Sequence, residues 1–258
     1  MRNGTSRPGF ERAEANFATM RFAPHRHDSY AIGITLRGVQ SFGYRGTTQH
    51  SETGCAFVIH PDELHDGRAG TDEGFGYRIV YIAPRLISEA LGGRALPFAK
   101  QAVTRESGLH RAICVALDAF DAPIDDLRFD DVIARLADAL AACDPAPRRI
   151  PAKAERAVQA ARAYLDDARN LPSSETVERL TGLSRFELAR QFRRRLGTSP
   201  HRYAAMRRLE RAKCMITDDC SLADAAAASG FADQSHMTRQ FKQAYGVAPG
   251  EWRTLTQH

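Results

Sequence analysis

Residues 182–192 read GLSRFELARQF, and a related passage, GFADQSHMTRQFK, occupies residues 230–242. Each passage is followed by a glycine, a proline and an aromatic residue at three-residue steps, which are Gly197, Pro200 and Tyr203 in the first copy and Gly246, Pro249 and Trp252 in the second. The offset between the copies is 48 residues at the leading glycine and 49 at the phenylalanine, so the second copy contains one added residue. Two copies are too few for a solenoid, and each predicts a turn, a helix with a basic face and a stop.

The residues that flank each passage predict its local structure. Ser184, with a glutamate three positions later, has the sequence of a capping box, and Asp233 is a good N-cap for the second helix. Gly182 permits a sharp turn from a preceding short helix. This is the helix-turn-helix plan, in which the second helix lies in the major groove of DNA. We expect these second helices over residues 185–196 and 234–245.

A helix predicted over residues 200–216 joins the two units. Its apolar stripe consists of Tyr203, Met206, Leu209, Ala212 and Ile216. Its basic residues are expected to remain in solvent, and these are Arg202, Arg207, Arg208, Arg211 and Lys213. The helix would be about 25 Å long at about 1.5 Å per residue. It would hold the two reading helices at a fixed separation, which must be about 34 Å if they enter successive major grooves.

The charge of the chain is unevenly distributed. Residues 150–258 hold 18 Lys/Arg and 12 Asp/Glu, a net charge of +6, whereas residues 1–149 have a net charge of −1. Hydrophobic residues make up 43% of the chain, which is enough to form well-packed cores. A basic half joined to a neutral half indicates that only the second half meets a polyanion, with a merely solvated basic surface as the alternative.

The cysteines and the apolar runs bear on the cellular compartment. The chain has five cysteines (Cys55, Cys114, Cys143, Cys214 and Cys220) with no CxxC pair, which favours reduced thiols over a disulfide framework. Neither an apolar core of signal-peptide length near the beginning nor an apolar run of about 18 residues is present. We therefore expect a cytoplasmic protein without membrane contact.

Short alternating segments predict strands in the first part of the chain. Residues 30–36 alternate between apolar and small or polar side chains, and residues 55–59 and 77–82 are further strand candidates. Glycines separate these segments as turns. Many short strands with frequent glycine turns predict a small barrel or sandwich over about residues 16–83.

After Pro84 the pattern changes to that of amphipathic helices. One apolar stripe consists of Leu109, Ile113, Leu117 and Phe120, and a second of Val132, Ile133, Leu136 and Leu140. The two helices either close the open end of the strand unit or pair with a second subunit, and the sequence leaves both alternatives open.

Three prolines within residues 144–151 predict a semi-stiff linker. We place the domain boundary there, which gives domains of residues 1–149 and 150–258. Beyond the linker, further helices are predicted over residues 152–168, 174–181, 222–229 and 250–256. The expected fold class is α+β with two domains, a small N-terminal β-barrel followed by two helices and a C-terminal all-α domain with two helix-turn-helix units.

Residues 152–256 closely resemble the DNA-binding domain of the AraC/XylS family of bacterial transcription regulators. The resemblance lies in residues 230–242 together with Gly246, Pro249 and Trp252. It implies that DNA contacts come from Phe186, Ala189 and Arg190 in the first unit and from Gln234, Ser235, His236 and Arg239 in the second. Arg185 and Arg194 are further DNA-binding candidates, because they lie on the outward sides of the first reading helix, whose later arginines are expected to meet phosphates. Family members usually carry a larger residue than Ala189, so this side chain contacts a thymine methyl group or no base at all.

The N-terminal half resembles the cupin-like sensing barrel that precedes many AraC-type DNA-binding domains. The resemblance lies in residues 24–28 (PHRHD) and 61–65 (PDELH). The effector-binding candidates that it implies are His25, His27, Glu63 and His65, which could hydrogen-bond a small molecule.

The same three histidines could instead converge on zinc or iron. A metal cupin also has a glutamate a few residues after the paired histidines, and the corresponding residues here are Tyr30, Ala31 and Ile32. We therefore expect no bound metal, no other cofactor and no enzymatic activity. A regulatory or structural metal, satisfied histidines without a ligand, and a metal-dependent cupin enzyme fused to a DNA-binding module are the alternatives.

Taken together, the sequence predicts a sequence-specific transcriptional regulator that responds to a small-molecule effector in its N-terminal barrel. Its expected partners are double-stranded promoter DNA, the effector and a second copy in a homodimer, with RNA polymerase as a further candidate. A binder of DNA without sequence preference is the rival interpretation of the helical half.

Overall fold

The computed structural model describes residues 2–105, 107–144, 151–168 and 172–256. Strands and three helices form the N-terminal part, and seven further helices form the C-terminal part of the described chain. The predicted two-domain α+β class is therefore confirmed. Most of the predicted linker, residues 145–150, lies outside the described residues, so the boundary stays a prediction.

The N-terminal strands of the described residues are β1 (Arg2–Asn3), β2 (Phe10–Phe17), β3 (Arg21–His25), β4 (Tyr30–Tyr44), β5 (Thr47–Glu52), β6 (Ala56–Ile59), β7 (His65–Ala69), β8 (Phe75–Ile82) and β9 (Val103–Thr104). One sheet has the order β1-β2-β8-β4-β6-β9, and β4 continues into a second group in which it pairs with β5 and β7. β3 pairs with β7 at the edge of this group. The long strand β4 thus joins the two strand groups of an open sheet.

A glycine allows β4 to pass from one sheet to the other. The pairing of β4 with β8 is irregular between Thr35 and Arg37, and Gly38 follows with a φ of 66°. A Cβ at Gly38 would lie 2.1 Å from the carbonyl oxygen of Gly74. Only a residue without a side chain fits this close approach of two backbones.

Aromatic side chains fill the space between the two sheets. Phe57 and Phe75 from the first sheet and Phe42 and Tyr44 from the second belong to one buried cluster. These large side chains are the inward-facing half of the period-two pattern, and their burial supplies a large apolar contribution to stability.

Three helices follow the strands, α1 (Pro84–Ala90), α2 (Ser107–Leu117) and α3 (Asp126–Ala142). The apolar faces of α2 and α3 pack on Tyr30, Ile32 and Val80 of the sheet in a second cluster. Tyr30, Ile32 and Val80 alternate along their strands with residues of the aromatic cluster, so the apolar stripes cover the opposite face of the sheet and not the open end of the strand unit. They are not left free for a second subunit.

The C-terminal helices are α4 (Ala152–Asp167), α5 (Ser174–Thr181), α6 (Arg185–Leu196), α7 (Pro200–Thr217), α8 (Leu222–Ala228), α9 (Gln234–Tyr245) and α10 (Pro249–Thr256). Each of these helices begins and ends within one residue of the predicted position, because the capping residues could be recognised in the sequence. Ser184 and Asp233 accept hydrogen bonds from Glu187 N and His236 N, respectively, as N-caps do. None of the described helices is long and apolar enough to cross a bilayer.

Helix α7 belongs to two hydrophobic cores. Tyr203 and Ala204 near its start pack with Leu188 and Phe192 of α6. Its later residues Met206, Leu209, Ala212 and Ile216 pack with Phe231, Met237, Phe241 and Ala244 of the second unit. At about 1.5 Å per residue the helix is about 27 Å long. One continuous helix therefore holds both helix-turn-helix units.

Candidate nucleic-acid interface and the adjoining domain contact

The first helix-turn-helix unit consists of α5, a turn and α6. Gly182 ends α5 in the left-handed region at a φ of 64°, where its backbone N–H donates to the carbonyl of Glu178. The Glu178 carboxylate in turn accepts a hydrogen bond from the backbone N–H of Arg185, the first residue of α6. The N-terminus of α6 is thereby fixed against the preceding helix, which sets the direction in which its exposed side chains project.

The second unit repeats this arrangement with α8 and α9. Ala225 and Ala226 of α8 are buried against α9, and their small side chains allow the two helices to pack closely. Arg208 of α7 donates to the carbonyl oxygens of Ser229 and Gly230 and so fixes the turn between the helices. Both units therefore present a second helix in a defined orientation.

The side chains predicted to contact DNA lie together on the open faces of α6 and α9. Arg185, Phe186, Arg190, Arg194, Gln234, Ser235 and Arg239 are exposed, and Ala189 and His236 are half-buried. Phe186 is a large hydrophobic residue with 66% of its surface exposed.

Two of these arginines have intramolecular contacts. The guanidinium of Arg190 forms an ion pair with Glu187 one turn away on α6. The guanidinium of Arg185 lies 4.9 Å from the centre of the Phe186 ring. Exposed pairs of this kind contribute little to stability and are readily exchanged for a phosphate or a base edge.

The basic residues of α7 do not all remain in solvent, and the prediction for them was wrong in most cases. Arg207 forms ion pairs with Asp28 of the N-terminal domain and with Glu210 of its own helix. Lys213 pairs with Glu11 at 3.0 Å. Arg202 Nε pairs with Asp62 at 3.0 Å, and Arg208 is buried in the turn described above. This face of α7 is therefore an interface between the domains rather than a solvated surface.

Burial and opposite charges together set the ionisation of this interface. Burial opposes the charge of Arg207, but Asp28 and Glu210 outweigh it and raise the pKa of the guanidinium. Burial raises the pKa of Glu210 to about 7 against the opposing effect of Arg207. The sequence contains one signal of this contact, because Arg207, Glu210 and Lys213 alternate in sign at three-residue spacing on one helix face.

Of the predicted effector residues, the structure brings together three histidines. His25 of β3 and His65 of β7 are direct partners across the strand pair, and their ring centres are 4.2 Å apart. The His27 ring lies 4.8 Å from that of His65. All three are nearly buried, with exposed fractions of 9%, 7% and 5% for His25, His27 and His65. We call this group the histidine cluster.

Glu63 is not part of the histidine cluster through its side chain. Its carboxylate is held by both arms of the Arg45 guanidinium, at 2.6 and 3.1 Å. Burial would raise the pKa of Glu63, but the hydrogen bond from Arg45 outweighs it and lowers that pKa. Only its backbone carbonyl reaches the cluster, where it accepts a hydrogen bond from His65. Its place in an effector site stays a prediction.

Sequence reasoning missed His60, which lies beside Glu63 in a buried hydrogen-bond network. Its Nε2 accepts from the backbone N–H of Ala99 at 3.0 Å, and its Nδ1 lies 3.0 Å from the Tyr44 hydroxyl oxygen and 3.1 Å from Nη2 of Arg45. Burial, assisted by the charge of Arg45, lowers the pKa of His60 to about 4. The neutral ring is therefore the form that the fold accommodates.

We expect acidification to destabilise the protein through His60. The unfolded chain binds a proton at a pKa of about 6.5 and the folded chain only at about 4, so stability is lost as the pH falls through this window. The loss amounts to about 3 kcal/mol between pH 7 and pH 4. Urea unfolding at both pH values gives the fall in the free energy of unfolding on acidification. In His60→Gln this fall should be smaller than in the wild type by the same amount. The exposed His201→Gln serves as the control, and equal losses in both variants would contradict the assignment.

The comparison with known families agrees with this geometry. Residues 7–141 match the model of the AraC-like ligand binding domain, and residues 177–254 match that of a helix-turn-helix domain. The chain belongs to the AraC family. This AraC-family protein is thus a DNA-binding transcriptional regulator whose N-terminal domain is of the AraC-like ligand-binding type, and the resemblance predicted from its sequence is confirmed.

Two curated relatives are similar in sequence to the AraC-family protein. One is the uncharacterized HTH-type transcriptional regulator YbfI of Bacillus subtilis (strain 168), which is 25% identical over 225 residues, 84% of this chain and 82% of its own length. The other is the HTH-type transcriptional regulator MtrA of Neisseria gonorrhoeae, which is 34% identical over 73 residues, 28% of this chain and 24% of its own length. The first match spans both domains.

A solved structure shares the whole fold. ToxT from Vibrio cholerae superimposes with a TM-score of 0.69 over 97% of this chain and 100% of that chain, at 13% sequence identity. A structure of ToxT with a bound unsaturated fatty acid gives a TM-score of 0.67 at 13% identity, over 98% of this chain and 97% of that chain. At this identity the likeness concerns the fold alone, which includes the order of both domains.

Proposed function

We propose that this AraC-family regulator reads a specific promoter sequence with α6 and α9 under the control of a small molecule bound to its N-terminal domain. The observation that supports it best is the pair of exposed basic helices held on the single helix α7 by two separate cores. A fixed separation and orientation of α6 and α9 is needed if both helices are to enter neighbouring major grooves of one duplex.

We assign base contacts and phosphate contacts to the exposed side chains by their position on the helices. Residues in the first turns, Gln234, Ser235 and Arg239 of α9 and Phe186 and Arg190 of α6, reach base edges. Arg194 lies at the far end of α6 and meets phosphate oxygens. Arginine suits guanine through its paired donors, and glutamine suits adenine, so the two helices provide direct readout.

The control by a small molecule rests on the domain type and on the fold likeness to ToxT, one structure of which holds an unsaturated fatty acid. The ion pairs of α7 and the hydrogen bond of α9 with the N-terminal domain offer a direct route to the reading helices. We further propose that the protein acts in the cytoplasm as a homodimer, through surfaces other than the covered stripes of α2 and α3, and that RNA polymerase is a partner at the promoter.

Selection of bound DNA from random oligonucleotides by the full-length protein tests this function. We expect enrichment of a motif with two half-sites separated by about one helical turn, roughly 10 base pairs. Retention of DNA without an enriched motif would support binding through phosphates alone and overturn the proposal. A recovered motif also identifies candidate target genes and thereby the class of effector.

A further inference from the structure

The histidine cluster has the arrangement of a set of metal ligands. One ring nitrogen from each of His25, His27 and His65 lies within 4.8 Å of the other two. His25 and His65 stand opposite each other on paired strands, whereas His27 follows the end of β3. The three rings thus come from a rigid strand pair and the segment directly after it.

Hydrogen bonds fix the tautomer of every ring in the cluster. Nδ1 of His25, His27 and His65 lies 2.8, 2.9 and 2.9 Å from the backbone carbonyl oxygens of Ala23, Ser29 and Glu63, respectively. A carbonyl oxygen only accepts, so each Nδ1 carries the proton. Each neutral ring is therefore left with its lone pair on Nε2. A backbone partner on the opposite nitrogen is also the arrangement that orients histidine ligands in metal sites.

The environment keeps these rings in the neutral form that binds metals. Burial lowers the pKa of all three histidines, that of His27 to about 4. Their mutual proximity further lowers the pKa of His27 and His65, because a second positive charge in the cluster is unfavourable.

The cluster also lies directly against the second helix-turn-helix unit. A Cβ on Gly246, the residue that ends α9, would lie 2.9 Å from Nδ1 of His25. Between two of the histidines, the backbone N–H of Arg26 donates to the carbonyl of Gln243 in α9 at 3.0 Å. Asp28, next to His27, forms the ion pair with Arg207. Residues 25–28 therefore carry two of the three histidines together with contacts to the DNA-binding domain.

We propose that His25, His27 and His65 form a binding site for a divalent transition metal of the zinc class, built into the face on which the second helix-turn-helix unit docks. This chain lacks the further glutamate ligand of metal cupins, but three histidines are a sufficient protein ligand set for zinc. Three imidazoles without a carboxylate favour zinc, cobalt, nickel or copper over magnesium or calcium. Metal binding would fix residues 25–28 and so stabilise the docked arrangement of the domains.

Cobalt(II) titration of the chelator-treated full-length protein tests the site, because cobalt bound by histidines absorbs visible light. We expect about one cobalt ion per chain, displaced by one equivalent of zinc. Saturating zinc should raise the melting temperature by roughly 5 °C or more. His27→Gln and His65→Gln should lose both responses, whereas the exposed His201→Gln should retain them.

The wild-type titration is decisive even if a cluster variant fails to fold. Lack of stoichiometric cobalt binding by the folded wild type would overturn the site. Circular dichroism in the presence of chelator identifies variants that fold, and cobalt binding that persists in folded His27→Gln and His65→Gln would overturn the ligand assignment.

A pair of glycine variants tests the link to the DNA-binding domain. Gly246→Ala and Gly182→Ala share a left-handed backbone at the end of a helix, with φ of 76° and 64°. A Cβ at Gly246 meets the His25 ring, whereas one at Gly182 meets no atom within 4 Å. We expect Gly246→Ala to weaken cobalt binding about 10-fold, because the added methyl group displaces the His25 ring and with it the Nδ1 hydrogen bond to Ala23 that orients this ligand, and Gly182→Ala to leave it unchanged. Equal cobalt affinity in both variants would overturn the link.

Discussion

Replacing Arg239 or Arg190 by alanine is expected to weaken binding to the selected promoter site by about 1–3 kcal/mol, or roughly 5- to 150-fold. Both guanidinium groups lie on the exposed faces of the reading helices, where they can offer two parallel donors to one guanine. Because random DNA lacks this base pattern, affinity for random DNA should change little. Fluorescence anisotropy with matched labelled duplexes measures both affinities.

Two controls separate base readout from general electrostatics. Arg111→Ala removes the same charge from an exposed position on α2 in the other domain and should change neither affinity. Arg194→Ala should weaken both duplexes alike and reduce the salt dependence by about one unit. If Arg190→Ala and Arg239→Ala also weaken both duplexes equally, these side chains contact phosphate only.

Arg190 of the first unit has an intramolecular partner, Glu187, that affects its binding to DNA. Arg190 is paired with Glu187 in the free protein, so DNA must compete with this carboxylate. Burial of Arg190 at a base edge leaves Glu187 close to phosphate charge. We therefore expect Glu187→Ala to raise the affinity for both duplexes slightly, which the same titrations would detect.

The helix-turn-helix units could be predicted from the sequence because their determinants are local. Ser184, Asp233 and the turn glycines act within one helical turn, so each cap specifies its own helix end. The apolar stripe of α7 could also be predicted, because the helical spacing of apolar residues indicates which side of a helix faces a core.

The domain contact could not be predicted in this way, because it depends on residues far apart in the chain. The partners Arg207 and Asp28 are separated by 179 residues, and a basic helix face has the same pattern whether it meets water or a carboxylate. The same limit applies to the histidines. Their motifs predicted a shared site, but not its position against Gly246 of α9.

Replacing Arg207 by alanine is expected to cost about 3 kcal/mol of stability, the largest effect that we predict at the domain contact. The Asp28 side chain is only 9% exposed, and its ion-pair partner is Arg207. The variant leaves this carboxylate and that of Glu210 close together without the cation between them. Separation of the domains relieves the repulsion between the two carboxylates, so the loss of stability should appear as weaker docking of the domains.

Thermal and urea unfolding measure this loss against a matched exposed pair. Arg135 and Asp131 form an ion pair on α3 with side chains 57% and 54% exposed, so Arg135→Ala should change stability by less than about 0.5 kcal/mol. A double-mutant cycle of Arg207→Gln and Asp28→Asn isolates the contact, and we expect a coupling energy of at least about 1 kcal/mol. A coupling near zero would mean that α7 is not held by this ion pair. The N-terminal domain would then act on the reading helices through its other contacts, which include the hydrogen bonds of the Arg26 backbone with Gln243 of α9 and Arg202 of α7.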